Sequence, residues 1–437
     1  TVTESKMAIS LAETGGIGII HKNNSIEEQA AEVKAVKKYE SGIVRDPVTI
    51  NSKQSIRELK QLTNELSISG MPVVDDGKLE GIVTSRDFRY AENMDSEVSS
   101  IMTPFEKLIT VEEGFSQEEV MKLMYKNRIE KILVLDTNRN LSGLVTMKDI
   151  EKSAQHPNAT KDSSGRLQVG AALGTSEDTI ERAQALFESG VDVFVVDSAH
   201  GHSKNVIETI KMLKEKFKDV DIIGGNIATA EAATELVRAG ADAVKVGMGP
   251  GSICTTRIIA GIGVPQISAI LEIKKALVGR DINIIADGGI RFSGDIAKAI
   301  AAGADSVMLG SLFAGTEEAP GKVELFQGRS FKTYRGMGSI GAMTERDDAN
   351  RYLQEDVEAD KLVPEGIEGR VPYKGLVVNV INQLIGGVRQ SMGYIGCKNI
   401  KDMQNNSQFV EITNAGMAES HVHDVMITKE APNYQRS

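Results

Sequence analysis

Residues 241–257 join a short apolar stretch to a glycine-rich loop and read Ala-Asp-Ala-Val-Lys-Val-Gly-Met-Gly-Pro-Gly-Ser-Ile-Cys-Thr-Thr-Arg. The first six residues are typical of a buried parallel strand. Glycines let backbone groups approach a ligand or an ion closely, and α/β proteins keep their active sites at the carboxyl ends of strands. Cys254 therefore lies where a catalytic thiol would be useful, although a free cysteine is more often a small buried hydrophobic residue.

The same alternation of short apolar strands with helices that stop at glycine runs through most of the chain. Its strands are predicted to open at Ile17, Val169, Val191, Asp221, Ala241, Ile282 and Ser306. Such parallel βα units favour a (β/α)8 TIM barrel, which needs an eighth strand. Because the sequence begins on a predicted helix, we expect that first strand upstream of Thr1. A doubly wound sheet is the alternative, but it would gather its polar residues at one switch point, whereas here they follow nearly every strand.

Composition limits the class of protein. The 437 residues exceed the usual size of a single core, and the net charge of -11 argues against a nucleic-acid partner. The two cysteines cannot make a disulfide framework, no apolar run is long enough for a membrane span, and no signal-peptide pattern opens the sequence. We therefore expect a cytoplasmic protein with no membrane partner.

Residues 44–153 interrupt the βα pattern with two similar halves, about 44–95 and 98–153. Each half predicts a β-α-β-β-α unit, and each closes on Gly-Ile/Leu-Val-Thr-x-x-Asp. The repeat resembles a tandem pair of CBS domains, a Bateman domain, which implies that ATP or GTP binds here. The resemblance assigns nucleotide contacts to Thr84, Asp87, Thr146 and Asp149. Threonine and aspartate are equally good N-caps of helices, so a simple strand-to-helix turn remains an equal interpretation.

Glycine-rich loops follow the last two predicted strands of the barrel. Asp287-Gly288-Gly289 and Gly310-Ser311 are where barrels commonly build a phosphate site from backbone amides and a helix N-terminus. The carboxylate of Asp287 could accept two sugar hydroxyls. Downstream, residues 334–339 form another glycine-rich turn with an aromatic residue. These loops together predict a phosphorylated substrate.

The order of these motifs, the inserted repeat and Glu419-Ser420-His421 near the end resemble the inosine 5′-monophosphate (IMP) dehydrogenase family, in its bacterial form, over essentially the whole chain. The resemblance implies oxidation of IMP to xanthosine 5′-monophosphate (XMP), the committed step of guanine nucleotide synthesis. Cys254 would form a covalent thioimidate with the purine while NAD accepts the hydride. The resemblance also implies a homotetramer, which could pair into an octamer. It divides the chain into a catalytic barrel, 1–43 and 154–437, and a regulatory insertion, 44–153.

The resemblance assigns site residues one by one. The catalytic residues would be Cys254, Thr256, Arg351 and Tyr352, the last two on a mobile flap at about 346–372. The substrate-binding residues would be Ser252, Asp287, Gly288, Gly289, Gly310, Ser311, Tyr334, Arg335, Gly336, Met337, Gly338 and Glu365. The NAD-binding residues would be Asp197, Ser198, Asn226, Gly247, Met248 and Gly249. A monovalent cation, usually potassium, would bind Gly249, Gly251 and Cys254 together with Glu419, Ser420 and His421 of a neighbouring subunit.

Two alternative functions stay open. GMP reductase shares the barrel and the cysteine loop, but as a family it is expected to lack both the CBS insertion and the Arg-Tyr flap. A catalytically inactive nucleotide sensor is the second alternative, and the presence of Cys254, Thr256 and Arg351 argues against it.

Overall fold

The computed structural model describes residues 1–39, 44–45, 47–66, 68–89, 91, 93–147, 150, 155–345 and 362–434. The chain forms two compact units. The first comprises Thr1–Lys38, Ala159–Asp162 and Leu167–Ser437, and the second comprises Tyr39–Asn158 and Ser163–Arg166. No helix in the described part of the chain is long and apolar enough to cross a membrane.

The first unit is built on a parallel sheet of seven strands. They are β1 (Gly18–Ile20), β2 (Val169–Leu173), β3 (Val193–Asp197), β4 (Asp221–Ile227), β5 (Ala243–Val246), β6 (Asn283–Asp287) and β7 (Ser306–Met308). Each strand pairs with the next one in sequence, from β1 at one end to β7 at the other. A doubly wound sheet would reverse this order at its switch point. The fold is therefore α/β with a TIM-like succession of strands, and the eighth strand stays a prediction.

Side chains on one face of the sheet show that it is curled. Alternate residues of a strand point to the same face, and those of the inner face form one apolar cluster made of Val193, Val195, Ile223 and Ala243, with Ile19 and Ile285 packed against it. Because β1 and β6 lie five strands apart in the sheet order, they reach the same cluster only if the sheet bends round on itself. The curl brings the carboxyl ends of the strands around one opening.

Helices cover the outer face and carry the remaining core. They span Ser5–Glu13, Ile26–Lys38, Thr179–Glu188, Lys204–Lys216, Ala230–Ala239, Thr256–Ile259, Gln266–Ala276, Ser293–Ala301, Ser311–Ala314, Ile340–Glu345, Val377–Tyr394, Ile400–Asn406 and Asn414–Ser420. A capping box opens the second helix, since the Ser25 amide donates to Glu28 at 2.9 Å and the Glu28 amide donates to the Ser25 hydroxyl at 3.1 Å.

A repeated carboxylate fixes the amino ends of the strands. Asp192, Asp242 and Asp305 each stand two residues after a glycine that ends a helix. Each accepts the backbone N–H of the neighbouring strand, at Val169 (2.8 Å), Ile222 (2.8 Å) and Ile284 (2.9 Å) respectively. Lys37, Lys214 and Gln404 hold the three carboxylates from the other side. This contact sets the register between adjacent strands at the end of the sheet opposite the opening.

A separate antiparallel sheet contains Val323–Phe326, Arg329–Arg335 and Glu368–Pro372. Its last strand lies inside the segment that the sequence analysis interpreted as a flap, so the final residues of that segment have regular structure. This strand could not be read from the sequence, because its side chains are mostly exposed and apolar residues therefore do not alternate with polar ones along it.

The second unit contains two sheets that exchange their opening strands. One sheet has Gly70–Asp75, Lys78–Thr84 and Thr103–Pro104, and the other has Val44–Arg45, Leu141–Thr146, Lys131–Leu135 and Thr110–Glu112. Thus Val44–Arg45, which opens the first half, pairs with the second half, and Thr103–Pro104 pairs with the first. Helices Ile56–Glu65, Ser85–Phe88 and Gln117–Asn127 and the short 3-10 turns Val98–Ser100 and Phe105–Lys107 complete the unit's described elements. Residues 47–49 lie in no strand, and Ile50 makes only an isolated parallel bridge with Val73.

The Thr84-Ser85-Arg86-Asp87 turn is a helix cap. The Thr84 amide and hydroxyl both donate to Asp87 Oδ2, at 2.6 and 2.8 Å. This is the strand-to-helix turn that the sequence allowed as the simpler interpretation. Asp149, the matching residue of the second half, lies outside the described residues.

Candidate active site

A cavity of about 730 Å³ opens at the carboxyl ends of the parallel strands. Its apolar floor is formed by Ile19, Val195, Ile223, Ile285 and Val307, one residue from each of five strands. Its rim is formed by Asn226 near the end of β4 and by the loops that follow β3, β5, β6 and β7. Of the predicted site residues, the lining includes Asp197, Asn226, Gly247, Met248, Gly249, Gly251, Cys254, Thr256, Asp287, Gly288, Gly310, Tyr334, Arg335, Gly336, Met337, Gly338 and Glu365.

Cys254 lies in this lining, partly exposed, with its Sγ 3.2 Å from the Thr256 hydroxyl oxygen. Backbone hydrogen bonds hold the loop in place. The amide of Thr255 donates to the Glu365 carbonyl at 2.9 Å, and the amide of Ile367 donates to the Ile253 carbonyl at 3.0 Å. The thiol thus stands on a loop that is paired like a strand with a second segment.

The second segment is in turn joined to the glycine-rich turn at 334–339. The Glu365 amide donates to the Gly338 carbonyl and the Gly336 amide donates to the Ile367 carbonyl, both at 3.0 Å. Three chain segments that are distant in sequence therefore form one layer over the cavity. This layer brings Glu365 and Met337 to the same wall as Cys254.

Tyr334 stands where the glycine loops meet. A β-carbon on Gly310 would lie 3.0 Å from its hydroxyl, so only glycine leaves this approach free. Burial raises the pKa of Tyr334 to about 12, and the nearby Asp287 carboxylate acts in the same direction, whereas a hydrogen bond with Ser252 opposes them. The hydroxyl therefore stays neutral at ordinary pH and can donate to an anion.

Gly288 has a φ of 87°, in the left-handed region that favours glycine, and it passes close to Pro250 of the cysteine loop. A β-carbon there would approach the proline ring within 2.9 Å. The structure thus brings Gly288 beside the cysteine loop. Ser252, Gly289 and Ser311 are not among the lining residues, although Ser252 reaches Tyr334.

A buried lysine at the centre of the site was missed by the sequence analysis. Lys245 lies on β5 and its Nζ donates to Asp197 Oδ1 at 3.0 Å, to Asp287 Oδ2 at 2.7 Å and to the side-chain oxygen of Asn226. Asn226 in turn donates to Asp287 Oδ2 at 3.0 Å and to the Gly247 carbonyl at 2.8 Å. The signal in the sequence was a charged residue in the middle of an otherwise apolar strand.

The residues predicted to bind the dinucleotide lie at the carboxyl ends of β3 and β4 and in the loop after β5. The ends of β3 and β4 are locked together, since the Ser198 amide donates to the Gly225 carbonyl at 2.9 Å and the Asn226 amide donates to the Ser198 carbonyl at 2.8 Å. Ser198 itself is buried and does not line the cavity. Asp197 and Asn226 face the cavity and supply a carboxylate and an amide at its rim.

The six residues predicted to hold a cation are not brought together within the chain. Gly249, Gly251 and Cys254 line the cavity, whereas Glu419, Ser420 and His421 do not. The latter end the helix Asn414–Ser420, where His421 Nδ1 lies 3.0 Å from the Tyr434 hydroxyl. Among the described residues no group of three or more His, Cys, Asp or Glu side chains could hold a metal ion. Arg351 and Tyr352 lie outside the described residues.

Comparisons with known proteins agree with this site. The "IMP dehydrogenase / GMP reductase domain" family matches residues 1–423. Inosine-5'-monophosphate dehydrogenase from Pasteurella multocida is 56% identical over 436 residues, which cover 100% of this chain and 89% of the relative. The enzyme of the same name from Escherichia coli K12 is 55% identical over the same 436 residues, again 100% of this chain and 89% of the relative.

A solved structure is also similar. It is a cysteine-to-alanine variant of GMP reductase from Trypanosoma brucei in complex with guanosine 5'-monophosphate, with a TM-score of 0.84, 44% identity, and coverage of 98% of this chain and 89% of that chain. Coverage of 98% cannot leave out residues 44–153, so the prediction that this insertion separates the chain from GMP reductases is wrong. Both names fall within one family, and the match of that family to residues 1–423 shows that this chain belongs to the IMP dehydrogenase / GMP reductase family.

Proposed function

We propose that this chain oxidises IMP to XMP with NAD+ as the hydride acceptor. The observation that carries the proposal is the position of Cys254 on the cavity wall, beside Thr256 and in a loop that packs against the glycine turn at Gly288. Relatives that are 55–56% identical over the full chain and carry the name inosine-5'-monophosphate dehydrogenase support the same reaction.

Cys254 would carry the redox step. Its thiolate forms a bond to C2 of the purine, and the hydride that leaves C2 reduces NAD+ to NADH. The product of this step is a thioimidate on Cys254. Water then adds at C2 and the carbon–sulfur bond breaks. This step releases XMP and returns Cys254 to its free thiol form. The thiolate is the nucleophilic form, and the Thr256 hydroxyl, 3.2 Å from Sγ, lies within reach of both the thiol and the attacking water.

The substrate phosphate would lie between the loops at 287–289 and 310–311 and the Tyr334 hydroxyl. Ser252, Gly288, Gly289, Gly310 and Ser311 supply hydroxyl and amide donors there. Asp287 would accept the ribose hydroxyls, and the segment with Arg335, Gly336, Met337, Gly338 and Glu365 would hold the base. The layer of backbone hydrogen bonds that joins these segments supports this arrangement.

The donor set of the other half of the cavity fits NAD+. Asp197 offers a carboxylate for ribose hydroxyls, and Ser198, Asn226 and the backbone of Gly247, Met248 and Gly249 follow adjacent strands. The one Gly-x-Gly-x-x-Gly match in the sequence, residues 336–341, follows a strand of the antiparallel sheet and not a strand of a βαβ unit, so a dinucleotide held on barrel loops is consistent with the sequence. When bound, NAD+ supplies the hydride acceptor.

Hydrolysis would use Arg351 as the base on water, with Tyr352 beside it and with Thr256 and Glu365 as a second relay. For the cation, the carbonyls of Gly249, Gly251 and Cys254 would bind potassium with Glu419, Ser420 and His421 of the next subunit of a homotetramer. Such hard oxygen donors fit an alkali cation. Because Glu419, Ser420 and His421 do not line the cavity of their own chain, the proposed cation site would take these three residues from the neighbouring subunit.

We further propose that the first unit is a closed (β/α)8 barrel and that the second is a tandem CBS module that binds ATP or GTP. The two exchanged sheets and the internal repeat support the module. A cytoplasmic location follows from the absence of a disulfide framework in the sequence.

GMP reduction is the second candidate, because a GMP reductase matches 98% of the chain with a TM-score of 0.84. One pair of assays separates the two. With IMP, NAD+ and potassium, we expect the absorbance of NADH to rise. With GMP and NADPH, we expect no loss of NADPH. The reverse result would assign the chain to GMP reduction, and no turnover in either assay would favour the sensor.

A further inference from the structure

Lys245 contacts both halves of the proposed site through charged groups, Asp197 and Asp287. It occupies the middle of β5, between Val244 and Val246, and is 2% exposed. Its side chain points to the inner face of the curled sheet, the face that lines the cavity. A lysine at such a position is rare unless its charge is paired.

The ammonium group has three protons, and the structure gives each an acceptor. Asp197 is on β3, Asn226 on β4 and Asp287 at the end of β6, so the three acceptors come from three different strands. With β5, they tie four adjacent strands to one nitrogen. The group is therefore fixed in position as well as neutralised.

The two carboxylates serve different ligands in the proposed function. Asp287 begins the 287–289 loop on the nucleotide side, and Asp197 precedes Ser198 on the dinucleotide side. Each binds Lys245 through one oxygen, at 2.7 and 3.0 Å. Asn226 also donates to the Asp287 oxygen that Lys245 uses, which restricts rotation of that carboxylate.

The interaction of Lys245 with Asp197 and its interaction with Asp287 depend on each other because all three groups are charged. One ammonium lies between two carboxylates, so the strength of its interaction with either depends on the charge of the other. If Asp197 were neutral, Lys245 would interact more strongly with Asp287, and that carboxylate would become a weaker acceptor for ribose hydroxyls. Without Lys245, the two carboxylates would repel each other, and neutralising Asp197 would help Asp287.

We infer that Lys245 is a positioning residue that couples the two ribose-binding carboxylates, so that the nucleotide and dinucleotide sites are linked through one buried ammonium. This inference rests on the proposed function, since it needs IMP at Asp287 and a dinucleotide at Asp197.

The test is a double-mutant cycle read out by calorimetric binding of IMP without dinucleotide. In the otherwise unchanged chain, Asp197→Asn should raise the Kd for IMP about 3- to 10-fold, although Asp197 belongs to the other site. In a Lys245→Met chain, the same Asp197→Asn change should leave the Kd unchanged or lower it. In a Lys245→Arg chain, which keeps the charge, Asp197→Asn should again raise the Kd for IMP, but by less than in the unchanged chain. Lys214→Met, which removes a lysine paired with Asp242 away from the cavity, is the matched control and should behave like the unchanged chain.

Equal effects of Asp197→Asn in both backgrounds, or no effect in the unchanged chain, would overturn the coupling. If Lys245→Met does not fold, the unchanged and Lys245→Arg backgrounds still decide, because a missing effect of Asp197→Asn in both contradicts the inference. Failure of the unchanged chain to bind IMP at all would instead overturn the proposed function, and the inference with it.

Discussion

The Tyr334 hydroxyl illustrates how burial sets the chemistry of a single group. With its pKa raised to about 12, it stays protonated over the range in which the enzyme would work. Because the folded pKa lies above the ordinary value of about 10, this group favours the folded state below about pH 10 and loses that contribution as the pH rises toward 12. A neutral hydroxyl can donate to a phosphate, whereas a tyrosinate would repel it.

We therefore expect Tyr334→Phe to raise the KM for IMP by roughly tenfold, the cost of one hydrogen bond to a charged group, with a smaller change in kcat. Steady-state kinetics of NADH formation measure both constants. Tyr394→Phe, at a position 92% exposed, is the matched control. An unchanged KM in the Tyr334 variant would show that this hydroxyl does not contact the phosphate.

Lys245 and Cys254 show what residue types reveal before a fold is known. The place of Cys254 on the cavity wall could be predicted, because the sequence puts it in a glycine-rich loop after a strand, at the end of the strand where α/β proteins keep their sites. Lys245 was missed although it is a charged residue in an apolar strand, because a parallel strand buried on both faces gives no alternation from which to read its inward side. Its partners Asp197, Asn226 and Asp287 lie 48, 19 and 42 residues away in sequence.

At the scale of the element, one contact is repeated three times: the carboxylates of Asp192, Asp242 and Asp305 each accept a backbone N–H from the neighbouring strand. Each joins the amino ends of two adjacent strands, at the end of the sheet away from the cavity. The contacts at the amino ends of the strands thus stabilise the fold, and the loops at their carboxyl ends line the cavity, as in barrels generally.

Asp242→Ala should therefore lower stability without affecting catalysis. It removes acceptors for the Ile222 amide and for Lys214, so we expect a loss of about 1–3 kcal/mol and a lower Tm. Thermal and denaturant unfolding measure the loss, with the exposed Asp219→Ala as control. A large fall in kcat with an unchanged Tm would contradict the division of roles between the two ends of the sheet.

The elements themselves could largely be predicted. All seven predicted strands are present, and three of them, at Val169, Asp221 and Ser306, open at the predicted residue. The exchange of Val44–Arg45 and Thr103–Pro104 between sheets could not, because pairing partners distant in sequence leave no local pattern. The strand Glu368–Pro372 could not be predicted either, because an exposed strand does not need an apolar face and so lacks the alternation that marks a half-buried strand.

At the scale of the whole molecule, the residues of the proposed cation site fall into two groups. Glu419, Ser420 and His421 end a helix whose neighbours are Tyr434 and Phe292, whereas Gly249 and Gly251 line the cavity. A proposed cation site that uses both groups must span two subunits.

This predicts complementation between two inactive variants. Cys254→Ala lacks the nucleophile and Glu419→Ala lacks a cation ligand for its neighbour. Mixed oligomers obtained by co-expression should contain sites with both residues intact and recover part of the potassium-dependent activity. A mixture of Cys254→Ala and Cys254→Ser is the control and should stay inactive. Mixed oligomers of the first pair without activity would place the cation residues within one subunit.

The most direct test of the account is the mass of Cys254 during turnover. The protein is mixed with IMP and NAD+, quenched with acid and digested, and the two cysteine peptides are compared. We predict that the Cys254 peptide gains one nucleotide while NADH forms, that the Cys397 peptide stays unmodified, and that Cys254→Ser abolishes both the adduct and NADH. Formation of NADH by the Cys254→Ser chain would contradict the central claim.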